Sequence, residues 1–177
     1  IGGIIDMDGF VIAKTFYCKE IGMLEIGEDE ASSCIFDLCI NWDDLPIKDQ
    51  RQCIFLTKNI HKLPFYTIRH QETIDLSYLD LVVEDFYRRV KTVERDTIAY
   101  KGGHFERDLL KKLQIPSVNL ELFGCPKAMH LFDKLAWLET CGHHIGDQVY
   151  QHCPKVEVEA FGKWLREQSS NIPISLQ

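Results

Sequence analysis

Residues 2–12 read GGIIDMDGFVI, an apolar stretch that carries two aspartates and then a glycine. The apolar start predicts a buried strand, and the acids followed by Gly9 predict a turn at its end. Because side chains alternate between the two faces of a strand, Asp6 and Asp8 would lie on one face. This Asp-x-Asp pair at a strand end is the first candidate for a functional site.

The remainder of the chain predicts two more strands and then alternating helices and strands. Residues 15–26 and 31–40 are apolar and partly β-branched and flank a polar turn, which indicates an antiparallel meander with the first strand. Apolar periodicity then predicts helices at 45–59, 74–91, 104–113, 126–139 and 156–168 and strands at 96–100 and 116–122.

This order of elements predicts an α/β domain over residues 1–168, followed by a loose tail at 169–177. Three antiparallel strands followed by α-β-α-β-α resemble the order of ribonuclease H-like folds, which implies a mixed sheet of five strands with flanking helices. In such a sheet the first strand is central and the last helix packs across it. Acids on the first strand would then face side chains of the last helix.

Composition and charge limit the classes of function. The 177 residues are 45% apolar, which is ordinary for one globular domain with a core. A net charge of −7 opposes non-specific adhesion to nucleic acid but is compatible with a nuclease whose acids surround metal ions. No run of about 18 apolar residues is present, so no membrane contact is expected. The odd count of seven cysteines favours free thiols in a reducing intracellular compartment, the cytoplasm or nucleus.

A second concentration of reactive side chains lies at residues 141–157, CGHHIGDQVYQHCPKVE. Thiolate and imidazole are ligands that zinc prefers, and the pair Cys141-x2-His144 can bind one ion from a single turn. Cys153 extends this set, whereas His152 and Glu157 are also suited to catalysis. The spacing alone leaves open whether the stretch forms one site or two adjacent sites.

The acids and one histidine resemble the signature of the DEDD-type 3′–5′ exonucleases that use a catalytic histidine. That family joins an Asp-x-Glu on the first strand to an Asp at the start of a middle helix and a His-x4-Asp at the last helix. The corresponding residues here are Asp6, Asp8, Glu106, His152 and Glu157. Aspartate thus replaces one glutamate of the family pattern, and glutamate replaces two aspartates. The resemblance implies two-metal hydrolysis of single-stranded RNA or DNA, with Mg²⁺ or Mn²⁺ on the acids and His152 as general base.

The cysteines resemble those of a zinc-bearing branch of the same superfamily, which includes the Maelstrom domain and the arenavirus nucleoprotein exonuclease. In that branch a Glu early in the sheet joins a Cys-x2-His and a later Cys before the last helix. Residues 16–22, FYCKEIG, resemble the Maelstrom segment that bears the glutamate. The resemblance implies a structural zinc held by Glu20, Cys141, His144 and Cys153, whose four ligands leave no open position.

Residues 101–104, KGGH, are the candidate contact with a nucleic-acid strand. Backbone N–H groups at a helix N-terminus bind phosphate well, so Gly102 and Gly103 would donate their amides beside Lys101 and His104. A lysine-rich helix face is more often only solvated, which is the competing explanation for the basic residues that follow.

Plainer interpretations stay open for the acids. The Asp-x-Asp-Gly run can be only a turn, and residues 4–10 also resemble locally a haloacid dehalogenase, although the α/β alternation of that family does not follow. Glu106 and Glu157 can be acids of first helical turns, where the helix dipole favours them. The second functional interpretation is therefore a catalytically degenerate Maelstrom-like module with a structural zinc. Such a module would bind RNA or protein, with protein partners also contacted through flanking regions.

Overall fold

The computed structural model describes residues 1–69, 72–132, 138–146 and 152–171. Its strands are β1 Gly3–Ile12, β2 Thr15–Glu25, β3 Ser32–Asp37, β4 Thr73–Asp75, β5 Ile98–Tyr100 and β6 Ser117–Asn119. They form one mixed sheet in the order β4-β3-β2-β1-β5-β6. The flanking helices are α1 Ile47–Asn59, α2 Leu79–Val90, α3 His104–Lys112, α4 Ala128–Leu131 and α5 Pro154–Asn171. The chain is therefore α/β, as predicted.

The first strand, β1, lies in the middle of the sheet. It pairs antiparallel with β2 from Gly3 opposite Glu25 to Ile12 opposite Thr15, with a shift in register between Asp8 and Gly9. The predicted turn at Gly9 is therefore wrong, because the strand continues through an irregularity in the pairing instead of ending after the aspartates. On its other edge, within the described part of the chain, it pairs in parallel with β5 only at Gly3 and Ile4. The part of β1 that carries the aspartates therefore has an open edge, where side chains can reach its backbone groups.

Helices cover both faces of the sheet. On one face Ile5 of β1 belongs to a core that includes Phe86 of α2 and Leu110 of α3. On the other face α5 packs across β1 and β2, and Ile4 clusters there with Phe161. Because β1 is covered on both faces, it is apolar almost throughout, and an acid within it is exceptional.

A glycine allows α5 to begin directly against β2. A Cβ atom at Gly22 would lie 2.2 Å from the carbonyl oxygen of Pro154 and 2.6 Å from the amide nitrogen of Lys155. A larger residue at this position would displace the start of the helix. The close approach brings Cys153, which immediately precedes α5, onto the strand that carries Glu20.

The predicted count of five strands is wrong, because the sheet has six. The sixth strand, β4, pairs in parallel with β3 and occupies the start of the predicted helix at 74–91. Asp75 accepts a hydrogen bond from the Ser77 amide at 2.8 Å and caps a short 3₁₀ turn, so the α-helix begins only at Leu79. Strand pairing and this local cap override the apolar periodicity.

The C-terminal elements agree with prediction to the extent that they are described. Of the helix predicted at 126–139, the structure describes α4, and residues 133–137 lie outside the described residues. Helix α5 continues to Asn171, into the predicted tail at 169–177, and residues 172–177 also lie outside the described part. None of the described helices combines the length and the apolar character needed to cross a membrane.

Candidate metal centre and acid cavity

Four potential ligands from separate parts of the chain meet beside the start of α5. Glu20 comes from β2, Cys141 and His144 lie in the segment between α4 and α5, and Cys153 immediately precedes α5. One ligand atom from each residue lies within 4.8 Å of the others. In tetrahedral zinc sites, bonds of about 2.0–2.3 Å place the ligand atoms roughly 4 Å apart or less, so a small contraction completes the coordination. This group, which is the one predicted for zinc, can hold a metal ion.

The orientation of His144 is that of a metal ligand. Its Nδ1 lies 2.5 Å from the carbonyl oxygen of His61, and because a carbonyl only accepts, Nδ1 carries the hydrogen. Nε2 then points into the cluster, 2.8 Å from Oε2 of Glu20. Both atoms are buried, and neither has a hydrogen bond of ordinary geometry to any described residue. Two facing electron-pair donors need a cation or a proton between them, and zinc meets that need.

The electrostatics of the metal-free cluster agree with this geometry. Burial raises the pKa of Glu20 to about 7, while a hydrogen bond with Cys141 lowers the pKa of Cys153 to about 4. Burial disfavours the charged imidazole of His144, but its contacts with Cys153 and Glu20 prevail and raise its pKa to about 10. A proton thus occupies the place of a cation, and two cysteine sulfurs, bound as thiolates, with one imidazole and one carboxylate are a donor set that zinc takes.

Three of the predicted catalytic acids lie together next to this metal group. Asp8 stands directly opposite Glu20 in the pairing of β1 with β2. Asp6, which is 7% exposed, is hydrogen-bonded to Glu157 in the first turn of α5. The charge of Asp8 in turn acts on Glu157. The packing of α5 across β1 therefore brings these three carboxylates into one group, in which Asp6 is buried and the other two are partly buried.

The fourth predicted acid, Glu106, reaches β1 from the first turn of α3. Its Oε1 accepts a hydrogen bond from the Met7 backbone N–H at 3.0 Å, on the edge of β1 that β5 leaves open. Gly103 provides the necessary room, since a Cβ atom there would lie 1.8 Å from Oε2. Oε2 is buried and has no hydrogen bond to any described residue. One oxygen of Glu106 is thus engaged with the backbone, and the other has no hydrogen-bond partner among the described residues.

Burial raises the pKa of every acid in this group. It raises the pKa of Asp6 to about 8, although the hydrogen bond with Glu157 opposes the shift. Burial also raises the pKa of Asp8, Glu106 and Glu157, and repulsion from neighbouring acids adds to the rise at Asp8 and Glu157. Carboxylates held this close do not all ionise without added positive charge. Divalent cations would supply it, and oxygen ligands are those that Mg²⁺ and Mn²⁺ prefer.

A cavity of about 330 Å³ opens onto the acids. Its lining combines acids, a histidine, two lysines and apolar side chains: Asp6, Glu157, His152, Lys101, Lys127, Ala128, Met129 and Phe161. Desolvation and the charge of His144 lower the pKa of His152. Its imidazole is therefore neutral near pH 7 and able to accept a proton. The predicted base and two of the predicted acids share this cavity.

The predicted nucleic-acid segment at 101–104 lies beside the cavity, but its amides are already engaged. The Gly102 amide donates to a side-chain oxygen of Asn119 at 3.0 Å, and the Gly103 amide donates to the carbonyl of Lys101 at 2.9 Å. Phosphate binding by these two amides is therefore not available in this arrangement. The side chain of Lys101 does line the cavity, and His104 is exposed at the start of α3.

Some contributors were not predicted from the sequence. Lys127 and Met129 line the cavity because α4 packs on α5, and nothing in the local sequence distinguishes them from other surface residues. His61 contacts His144 across 83 positions of the chain, while the local pattern around it indicates only a loop or capping residue. Spacing cannot reveal contacts of this kind.

The chain thus carries two adjacent groups of functional type: a Glu-Cys-His-Cys cluster able to hold a metal ion, and a group of buried and partly buried acids at an open cavity. The two meet at the start of α5, where His152 lines the cavity and the next residue, Cys153, belongs to the cluster. No protein-family model, no curated protein and no solved structure matches this chain.

Proposed function

We propose that this chain is a metal-dependent 3′–5′ exonuclease acting on single-stranded RNA or DNA, with a structural zinc in the Glu-Cys-His-Cys cluster. The observation that carries the proposal is the grouping of four carboxylates, two buried and two partly buried, beside a cavity that His152 lines. Buried acids of like sign are costly, and folds accumulate them mainly at active sites. The resemblance of these five residues to the DEDD-type exonucleases agrees with the proposal.

The acid group would hold the catalytic ions through Asp6, Asp8, Glu106 and Glu157. Bound Mg²⁺ or Mn²⁺ supplies Lewis-acid chemistry and lowers the pKa of bound water. Met7 keeps Glu106 in place by donating to one of its oxygens. In the metal-free protein a shared proton holds Asp6 and Glu157 together, and the cations would take the place of that proton. The buried Oε2 of Glu106, without a hydrogen bond to the described residues, supports the fit.

His152 acts as the general base in this proposal. An imidazole nitrogen of His152 takes a proton from the attacking water as the new oxygen–phosphorus bond forms. The bond from phosphorus to the 3′ oxygen of the preceding nucleotide breaks, and that oxygen takes a proton from solvent. The products are a 5′-mononucleotide and a strand shortened by one, with a new 3′ hydroxyl.

The cavity favours a strand end as the substrate. Its volume of about 330 Å³ lies at the lower end of the range for small-ligand sites, which fits one nucleotide better than a duplex. Lys127 would contact phosphate, beside Lys101, whose ammonium pairs with Glu121 at 2.8 Å. The apolar wall formed by Met129 and Phe161 would contact the base. These contacts require an unpaired terminal nucleotide.

The zinc has a structural task in this scheme. Its four protein ligands leave no coordination position for water or substrate. Since Cys153 directly follows His152, binding of zinc at Cys153 fixes the segment that carries the base. Seven unpaired cysteines, two of them in this cluster, support a reducing compartment such as the cytoplasm or nucleus.

A direct test uses single-stranded RNA and DNA labelled at the 5′ end, incubated with Mn²⁺. We expect products that shorten one nucleotide at a time in the wild type. His152→Ala and Asp6→Asn should slow the reaction by at least about 100-fold, which is the scale of a lost base. Asp108→Asn is the matched control, because Asp108 is an exposed acid on α3 that pairs with Arg107.

Cleavage that is absent in the wild type, or equal in all variants, would contradict the nuclease proposal. The engagement of Glu106 with the Met7 amide favours a second candidate, since it shows one acid in a structural task. That candidate is the Maelstrom-like module, which binds RNA or a protein partner without hydrolysis. Strand binding at equilibrium without any cleavage would select it.

A further inference from the structure

We propose that His61 is a positioning residue for the metal centre, which it serves by fixing the carbonyl group that orients His144. The contact is direct, because the Nδ1–H of His144 donates to the carbonyl oxygen of His61 at 2.5 Å. A metal-binding histidine depends on such a partner for its tautomer and ring orientation. The inference rests on the zinc part of the proposed function and is independent of the nuclease part.

The side chain of His61 stabilises the turn that presents this carbonyl. Its Nδ1 accepts a hydrogen bond from the Leu63 amide at 3.0 Å, which closes the turn over Lys62. Lys62 has a φ of +61°, a left-handed conformation that a non-glycine residue adopts only when its surroundings hold it there. The carbonyl of Lys62 then accepts from the Ile145 amide at 2.8 Å. Two successive carbonyls of one turn thus hold the segment that contains His144.

The turn is anchored to the strands that carry both sites. The His61 ring is 1% exposed and packs edge-to-face on Phe10 of β1, with ring centroids 4.9 Å apart. Nearby, Lys19 of β2 donates to the carbonyl of Phe65 at 2.9 Å. Lys19 directly precedes the ligand Glu20. His61 therefore connects the His144 ligand to the same two strands that position Glu20 and the aspartates.

The test compares zinc affinity in two variants that separate ring volume from hydrogen bonding. His61→Phe keeps an aromatic ring against Phe10 but has no acceptor for the Leu63 amide. His61→Asn loses ring volume but offers an oxygen near the position of Nδ1. Zinc dissociation constants are measured on the full chain by competition with a chromophoric chelator. The visible spectrum of the Co²⁺-loaded protein reports the ligand geometry.

We expect His61→Phe to weaken zinc binding by about 10- to 100-fold and to alter the Co²⁺ spectrum. His61→Asn should recover most of the affinity and the wild-type spectrum. Thr57→Val provides a second route if His61→Phe does not fold, because the Thr57 hydroxyl donates to the Leu63 carbonyl at 2.8 Å and holds the same turn. Cys53→Ala, a buried change on the same helix, is the control and should bind zinc normally.

Zinc affinity equal to that of the wild type in both His61→Phe and Thr57→Val would overturn the inference. Equal losses of zinc affinity in His61→Phe, His61→Asn and the control Cys53→Ala would also overturn it. A wild-type chain that binds no zinc would overturn the metal centre itself and this inference with it. Loss of nuclease activity at normal zinc content would concern only the catalytic acids. The three failures are therefore distinguishable.

Discussion

Replacing Gly22 by alanine tests how far both sites depend on the contact between β2 and α5. The added Cβ would lie 2.2 Å from the carbonyl oxygen of Pro154 and 2.6 Å from the amide nitrogen of Lys155. Both are backbone atoms, so they cannot rotate away. An ordinary contact begins at 3.4 Å, so the start of α5 would have to move from β2 by roughly 1.2 Å.

A displacement of roughly 1.2 Å would disturb the geometry of both the metal cluster and the acid group. The displaced turn carries Glu157 and follows Cys153 and His152, while their partners Glu20 and Asp6 remain on the strands. Zinc bonds tolerate only about 0.2 Å, so we expect zinc affinity to fall at least about 10-fold. A misplacement near 1 Å can lower a catalytic rate about 100-fold, and overpacking costs about 1–3 kcal/mol of unfolding free energy.

The assay combines chelator competition, Mn²⁺-dependent strand cleavage and thermal unfolding. Gly162→Ala is the matched control, because its Cβ would meet only the end of the flexible Leu24 side chain, at 2.3 Å. It makes the same chemical change on α5 and should leave zinc affinity near the wild-type value. Unchanged zinc affinity in Gly22→Ala, or equal losses in both variants, would refute the reasoning.

Three further outcomes are expected. Cys141→Ser removes a zinc ligand, so zinc content after dialysis should fall below one ion per chain. Addition of a chelator should lower the unfolding temperature of the wild type and leave the unfolding temperature of the variant unchanged. In the zinc-free protein, burial lowers the pKa of His61 to about 4. The unfolding free energy should therefore decrease as pH falls from 6.5 towards 4, because the unfolded state then binds more protons than the folded state. An equally steep dependence of unfolding free energy on pH in His61→Phe would contradict this. Lys127→Ala should raise KM for single strands several-fold with little change in kcat, since Lys127 lines the cavity and would contact phosphate without being one of the catalytic groups. An unchanged KM in steady-state kinetics would contradict this phosphate contact.

The resemblance to ribonuclease H-like folds predicted a central first strand, and β1 does lie in the middle of the sheet. The division of residues 141–157 into a zinc part and a catalytic part also came from a family resemblance and stays a prediction. Period-two alternation places Asp6 and Asp8 together, and the spacing of Cys141, His144 and Cys153 is short enough to indicate shared coordination. The structure places Glu20 with these three residues. Local pattern was sufficient for the three residues of one loop, whereas Glu20, 133 positions before Cys153, was assigned from the resemblance of residues 16–22 to the Maelstrom segment.

The remaining features depend on tertiary contacts, which the local sequence pattern does not predict. The strand β4 lies inside an apolar periodicity typical of a helix, and only pairing with β3 reveals it. The glycine amides expected to bind phosphate instead donate to Asn119 and to the Lys101 carbonyl. The reach of Glu106 to Met7 spans 99 positions and requires that β5 end early.

The ligand pair Glu20 and Cys153 has a consequence for folding, because 133 residues separate them along the chain. An ion bound to both closes a loop that includes most of the protein, as a cross-link does. Because the ion would bind only the folded chain, its stabilisation follows mass action and reaches about 2.7 kcal/mol when free zinc is about 100 times its dissociation constant. Unlike a disulfide, this closure is reversible and depends on concentration. If this group holds zinc, the unfolding free energy of the chain should rise with the free zinc level of its surroundings.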